Sequence, residues 1–337
     1  MRAKVDLIVT ADAVDDANGG GLMLDQLASS SVLTISRSAD IDHFRSIESL
    51  ADARSIPLAS GDFRACFATV ALKSCTIFLQ RTFPRILEAR YRSTGAIVAF
   101  AMDDALSLVI NGADVRSPAV LLAKGDVVAD VVERQSNLIA IVKFDEIGAR
   151  GWPGEPGRVH QIPTRLADFT ALRSVTRDIL LLASNSADLL SQPHVMANVE
   201  ESLLQAVDIA LHRPSPLGDA GRLDLGDYRR LVHRLDEFLQ LNAAKVLHSA
   251  DLAGQFGVSV RTLNNAVVAI RGLSMHRYTR LRRLWNARQQ LLQGAAPEML
   301  KAIAQANGFW HMGEFRALYR DQFGETPQHT LERAHLR

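Results

Sequence analysis

The stretch Ile303-Ala304-Gln305-Ala306-Asn307-Gly308-Phe309-Trp310-His311-Met312-Gly313-Glu314-Phe315 decides how this chain is read. Ala304 and Gly308 lie four apart, and Phe315 and Tyr319 form an apolar i,i+4 pair beyond the turn. A small residue lets two helices approach, a glycine makes the turn, and a second helix follows with one apolar face. The same plan stands earlier in the chain, with Ala253 and Gly257 in the equivalent places. There Ser249 and Ser259 are suited to cap two helices, and Leu263 and Val267 form the buried face of the second. This is the helix-turn-helix plan, whose second helix enters the major groove of DNA. One occurrence says little; two in tandem say more. Between them Ser274–Gln293 reads as a single helix of about 30 Å at ~1.5 Å per residue. One DNA turn is about 34 Å, so such a helix can hold two recognition helices in successive grooves.

Charge supports that reading. The chain has 337 residues and a net charge of +1. Residues 226–337 carry 16 Lys+Arg against 9 Asp+Glu, while the rest carries 22 against 28. From Leu252 to Pro297 there is no acidic residue, yet Arg261, Arg271, Arg277, Arg280, Arg282, Arg283 and Arg288 all fall there. A one-signed run without counter-charge suits a polyanion. Hydrophobic residues make up 47% and charged residues 22%, which excludes a wholly disordered chain. No apolar run approaches the roughly 18–20 residues of a membrane span, and the N-terminus shows no apolar signal segment. A cytoplasmic protein without membrane contact is expected. Cys66 and Cys75 have no metal or redox spacing.

The fold class expected is α+β and multidomain. Residues 1–33, with Gly19–Gly21 and Ser29–Ser31, read as a loose N-terminal tail. Residues 34–160 show short apolar runs separated by turn signals such as Asn111-Gly112 and Lys124-Gly125-Asp126, the pattern of a β-barrel or sandwich. Gly151–Gly157 reads as a linker. Over 161–213 the period becomes helical, giving a hairpin that packs either on the β-rich region or on a second copy of itself and is a candidate dimerisation element. Charge at Leu172 or Leu203 is then expected to weaken a homodimer. Residues 214–226 read as a second linker. Residues 227–337 read as all-α with two helix-turn-helix units.

The residues quoted above resemble a known family. Asp251-Leu252-Ala253 through Gly257-Val258-Ser259-Val260-Arg261-Thr262-Leu263 looks like the first half of an AraC/XylS-type DNA-binding domain. Gly308–Phe315, Tyr319-Arg320 and Phe323-Gly324-Glu325-Thr326-Pro327 are similar to its second half, in wording nearest to the XylS-like branch. The segments at residues 61–72 (GDFRACFATVAL) and 79–83 (LQRTF) resemble, more faintly, a cupin-like sensor domain. The resemblance implies a sequence-specific transcription regulator with an N-terminal cupin-like sensor, usually an activator, with repression left open. Its partners would be double-stranded DNA, RNA polymerase and a small-molecule effector; a DNA-binding protein that works without effector is the alternative.

Carried over residue by residue, the resemblance places Arg261, Asn264 and Asn265 toward the groove and Ser259 and Thr262 near phosphate. His311, Met312, Gly313 and Arg316 take the leading turn of the second recognition helix, and Arg280 joins from the central helix. Arg pairs with guanine and Asn with adenine at base edges. Glu314 departs from relatives that have a basic residue there. Phe309, Phe315, Tyr319 and Phe323 are expected in the core, and Trp310 either in the core or on the DNA backbone. No enzyme is expected. Cupin metal centres need histidines on the strands, and none occurs between Phe44 and Val159. Neither a Gly-rich phosphate loop nor a catalytic Ser/His/Asp spacing is present, so no cofactor and no metal are expected.

Overall fold

The structure, a computed structural model, describes residues 24, 26–41, 44, 52–58, 63–104, 106–148, 150–212, 221–222, 225–242 and 248–335. The expected tail up to residue 23 and the linker over 213–220 lie outside these residues. The strands are β1 (Leu33–Ser38), β2 (Asp52–Pro57), β3 (Ala65–Ala71), β4 (Cys75–Arg81), β5 (Arg85–Tyr91), β6 (Ala96–Ala101), β7 (Leu108–Ile110), β8 (Ala113–Asp114), β9 (Ala119–Lys124), β10 (Val127–Glu133), β11 (Leu138–Phe144), β12 (Val159–Pro163) and β13 (Gly221–Arg222). The helices are α1 (Leu166–Asn185), α2 (Ala187–Leu190), α3 (Pro193–His212), α4 (Gly226–Leu241), α5 (Ser249–Phe256), α6 (Val260–Arg271), α7 (Met275–Leu292), α8 (Leu300–Ala306), α9 (Met312–Phe323) and α10 (Pro327–His335).

Among the described residues the strands form two antiparallel sheets. The first runs β1-β3-β4-β11-β6-β9-β12-β13 and the second β2-β5-β10-β7-β8. They make an open sandwich; the closed barrel left possible by the sequence does not form. Alternation along each strand explains the layers. In β11, Leu138, Ala140 and Val142 face the hairpin of α1 and α3, whereas Ile139 and Ile141 face the second sheet. In β10, Val131 faces inward and Val132 faces the C-terminal helices. The order is therefore hairpin, first sheet, second sheet, C-terminal helices, and both sheets are covered on both faces. Strands buried on two sides read as continuous apolar runs, as Ala96–Ala101, Ala119–Ala123 and Leu138–Val142 do.

Four expectations need correction. The tail is packed from Leu24 onward: Leu24 and Leu27 are buried, and Ser30 Oγ donates to the Ala183 carbonyl at 2.7 Å. Ser30 thus ties this segment to the end of α1, and Ser29 Oγ accepts from the Ile35 N–H of β1 at 3.1 Å. The second linker contains β13, which pairs with His160 and Gln161 of β12. The hairpin spends its apolar stripe inside the chain, with Leu172 and Leu203 fully buried against the first sheet. The glycine-rich Gly151–Gly157 segment is likewise pinned: Trp152 packs edge-on against Phe144 and donates Nε1–H to Asp208 at 2.6 Å.

Candidate nucleic-acid interface

The first helix-turn-helix unit is α5 and α6. Gly257 ends α5 in the left-handed region at φ 66°, and Ser259 caps α6 by accepting from the Thr262 N–H at 3.0 Å. Leu252, Ala253, Leu263 and Val267 are buried between the two helices and their neighbours. Ser259, Arg261 and Asn265 are exposed on the leading turns of α6, and Thr262 is half-buried with its hydroxyl on Ser259. Asn264 has a second duty: its Oδ1 accepts from the Met275 N–H at 3.1 Å. That bond fixes the start of α7 to α6, leaving only the amide NH₂ for another partner.

The second unit is α8 and α9. Gly308 turns with φ 76°, and Ala304 is fully buried beneath it. Phe309, Phe315, Tyr319 and Phe323 stack along α9 with successive ring centroids 5.1, 5.5 and 4.5 Å apart. His311, Gly313, Glu314 and Arg316 are exposed on its leading turn, and Met312 is half-buried against the core. Trp310 is 61% exposed, so it stands outside the core beside that turn.

The basic run divides into two kinds of arginine. Arg261, Arg277 and Arg316 are exposed. Arg271, Arg282 and Arg288 are buried. Arg288 on α7 donates to Glu325 at 2.6 Å and to Tyr319 Oη at 3.2 Å, and lies 4.8 Å above the Phe323 ring, so it clamps α9 and α10 onto α7. Arg283 lies 5.3 Å over Phe309 and donates to the Gly308 carbonyl at 3.4 Å. Burial and the charge of Arg280 make its guanidinium easier to deprotonate than usual, and Glu314 opposes them. Arg280 is half-buried; with Arg277, Leu58 and Asp321 it lines a cleft of about 460 Å³ between α7, α9 and the end of β2.

Both units are fastened to the second sheet. Asp130 of β10 is fully buried and accepts from Arg271 at the end of α6, from Arg229 Nε of α4 at 2.7 Å and from His233 Nε2 of α4 at 2.9 Å. Arg271 also donates to Asp236 at 2.7 Å, whose other oxygen accepts from Tyr278 Oη at 2.6 Å. Burial alone would raise the Asp130 pKa; the bond from His233 and the charges of Arg271, His233 and Arg229 outweigh it and hold the carboxyl far below its usual range. The bond to Asp130 raises the His233 pKa, against burial and Arg271. Gly272 follows directly: a Cβ there would stand 3.1 Å from Val132 Cγ1. At the β7–β8 turn, Asn111 and Gly112 have φ of 51° and 87°, and a Cβ on Gly112 would stand 2.7 Å from Leu225. The second unit is held by Gln322 Nε2 donating to the Pro57 carbonyl at 3.1 Å and by Arg333 on Asp40 at 3.2 Å.

Glu88, Asp130 and His233 place metal-ligating atoms within 4.8 Å of one another. The guanidinium groups of Arg271 and Arg229 already occupy the Asp130 oxygens and oppose another cation. The cluster is an ion-pair joint between the second sheet and the C-terminal helices. Sequence reasoning passed over it, although one signal was available: Asp130 is the single charge inside the run Val127–Val132. The joint also sets a pH dependence. A histidine whose pKa is raised on folding adds stability that is complete below its ordinary 6.5 and disappears as pH rises through the raised value. Urea unfolding is expected to show the chain less stable at about pH 9 than at about pH 6, and His233→Gln to flatten that difference.

Comparison with known proteins agrees with the geometry. Residues 252–333 match a helix-turn-helix domain family. A probable thc operon regulatory protein of Rhodococcus erythropolis is 33% identical over 102 residues, 30% of this chain and 31% of that protein. The HTH-type transcriptional activator RhaS of Pectobacterium atrosepticum is 30% identical over 112 residues, 33% of this chain and 39% of that protein. The chain thus spans about a third of the length of these curated relatives. Among solved structures, a probable AraC family transcriptional regulator from Rhodopseudomonas palustris is 35% identical, covering 31% of this chain and 97% of that one, with a TM-score of 0.28. No helix among the described residues is long and apolar enough to cross a membrane. Over residues 252–333 the chain thus carries a helix-turn-helix domain, similar to those of AraC-family regulators.

Proposed function

We propose that this protein reads a bipartite DNA site with α6 and α9 and regulates transcription there, in the cytoplasm, as an activator that engages RNA polymerase. One observation carries the reading: two recognition helices with exposed leading turns are fixed to one central helix of 18 residues, about 27 Å long. Arg261, Asn265, His311 and Arg316 are the base-reading candidates, with the Asn264 amide beside them. Ser259, Thr262, Gly313 and Arg280 lie where phosphate is approached, and Met312 supports the second turn from the core. Selection from a random DNA pool with the full chain is expected to return two boxes about one helical turn apart. A pool without enrichment overturns the proposal.

Arg261→Ala is expected to weaken the selected site by about 1–3 kcal/mol and to relax base preference at one position. An equal loss on every sequence, with a shallower salt dependence, would make Arg261 a phosphate contact instead.

An effector acting through the sensor is the regulatory part of the proposal. Both helix-turn-helix units rest on the second sheet, so a shift of β2 or β10 alters how they are presented together. A ligand regulates only by binding two states unequally. Leu87, Leu121, Val131, Ile139 and Ile141 fill the space between the sheets, so the support for an effector lies at the junction with the helices. A homodimer, if formed through the hairpin, uses its outward face, where Leu166 of α1 and Leu189 of α2 are exposed.

A further inference from the structure

Most large hydrophobic side chains exposed among the described residues stand at or beside a helix end, as Leu166, Leu241 and Val260 do. Val268 does not. It is 45% exposed within α6, well after Val260 and short of Arg271. Folding does not account for a valine there. A β-branched side chain loses rotamer freedom in a helix, and alanine at an exposed position would stabilise it more. At 3.6 residues per turn, Arg261, Asn265 and Val268 fall within about 60° of one another around the helix. Half-buried Asn264 flanks Val268 on the other side. Val268 is thus the apolar member of the face that carries the base-reading candidates, about 4.5 Å along the axis from Asn265. Val260 lies about 12 Å away along the same axis, so the two valines make no continuous patch. A protein partner is held by clustered apolar anchors. A single isopropyl group among polar donors, on a helix with no acidic residue, suits a polyanion instead. The apolar feature of the major groove is the 5-methyl group of thymine. Cytosine offers an amine donor there, which an isopropyl group leaves unsatisfied.

We propose that Val268 is a specificity-determining residue that reads the 5-methyl group of a thymine, adding an apolar contact to what Arg261 and the two asparagines read in the same box. The proposal rests on the DNA reading above and names one base that reading leaves open. Discrimination has two sides: thymine gains a buried methyl contact, and cytosine loses the hydration of its amine.

Selection from a random pool with the full chain supplies the site. Each thymine of the box read by α6 is then replaced in turn by deoxyuridine, which deletes the methyl group and keeps the base pairing, and affinity is measured by fluorescence anisotropy. At one thymine the wild-type chain is expected to lose about fourfold in affinity, the worth of one buried methyl group. Val268→Ala is expected to bind the thymine site about as weakly as wild type binds the deoxyuridine site, and to lose less than about twofold more on the substitution. Its Tm is expected to equal or exceed that of wild type, so the loss is not one of folding. Its salt slope is expected to be unchanged, because no phosphate contact is removed. A box without such a thymine overturns the assignment, as does a deoxyuridine loss that persists undiminished in Val268→Ala. Either result leaves the two-box reading intact, whereas a pool without enrichment overturns both.

Discussion

Asp130→Ala is expected to cost about 3–5 kcal/mol of stability, because it leaves Arg271 and Arg229 at the joint without their shared carboxylate. The geometry sets that magnitude. Asp130 is fully buried and takes three cationic donors, from α4 and from the end of α6. Asp236 remains for Arg271, but among the described residues no other carboxylate bonds Arg229. The loss should appear in thermal unfolding as an early transition of the C-terminal helices, separated from the sandwich. Asp130→Asn keeps one acceptor oxygen and loses the charge, so its penalty should fall between those of wild type and Ala. The acid limb has the same origin. A carboxyl whose pKa is depressed on folding supplies stability above its ordinary 3.8, and that stability drains away as pH falls toward the depressed value. Equal unfolding curves for wild type and Asp130→Ala would show that the apolar contacts alone hold the joint.

Leu203→Asp is expected to destabilise the sandwich and its hairpin by about 5 kcal/mol or more, leaving the chain largely unfolded at ordinary temperature. Removing a buried leucine costs about 2–5 kcal/mol, and burying an unpaired carboxylate adds several more. Leu203 is fully enclosed by α1 and the first sheet, together with Leu172, Ala206 and Val207. The sequence reading made Leu172 and Leu203 dimer contacts, which predicts a folded monomer. Circular dichroism and sedimentation on the same sample separate the two outcomes. A folded chain of changed mass would restore the dimer interpretation of these residues.

Much of the fold was legible because helices and turns declare themselves locally. Ala253–Gly257 and Ala304–Gly308 lie within single turns, and the spacing of Phe315, Tyr319 and Phe323 is set by one helix. The hairpin also showed its period, but an apolar stripe does not say whether it meets its own sheet or a second molecule. The arginines show the harder limit. Arg261 and Arg271 lie on the same helix and look alike in sequence. One is exposed, whereas the other is bound to a carboxylate 141 positions away. Arg288 is fixed by Glu325, 37 positions on. A partner at that distance leaves no local trace, so half of a basic run can be mortar while the rest stays at the surface. Asn264 is similar: its amide suits adenine, and only the placement of Met275 shows the second task.

The second sheet is a party wall. It closes the sandwich on one side and carries the C-terminal helices on the other. The two halves of this chain are therefore poor candidates for free exchange with relatives. A foreign DNA-binding half grafted after residue 225 would need its own Arg271 for Asp130, a glycine beside Val132, and a residue that tolerates the Asn111-Gly112 turn. Without them the retained sandwich would present a bare carboxylate and an uncovered apolar sheet, and the chimera would fail at its seam with both halves sound.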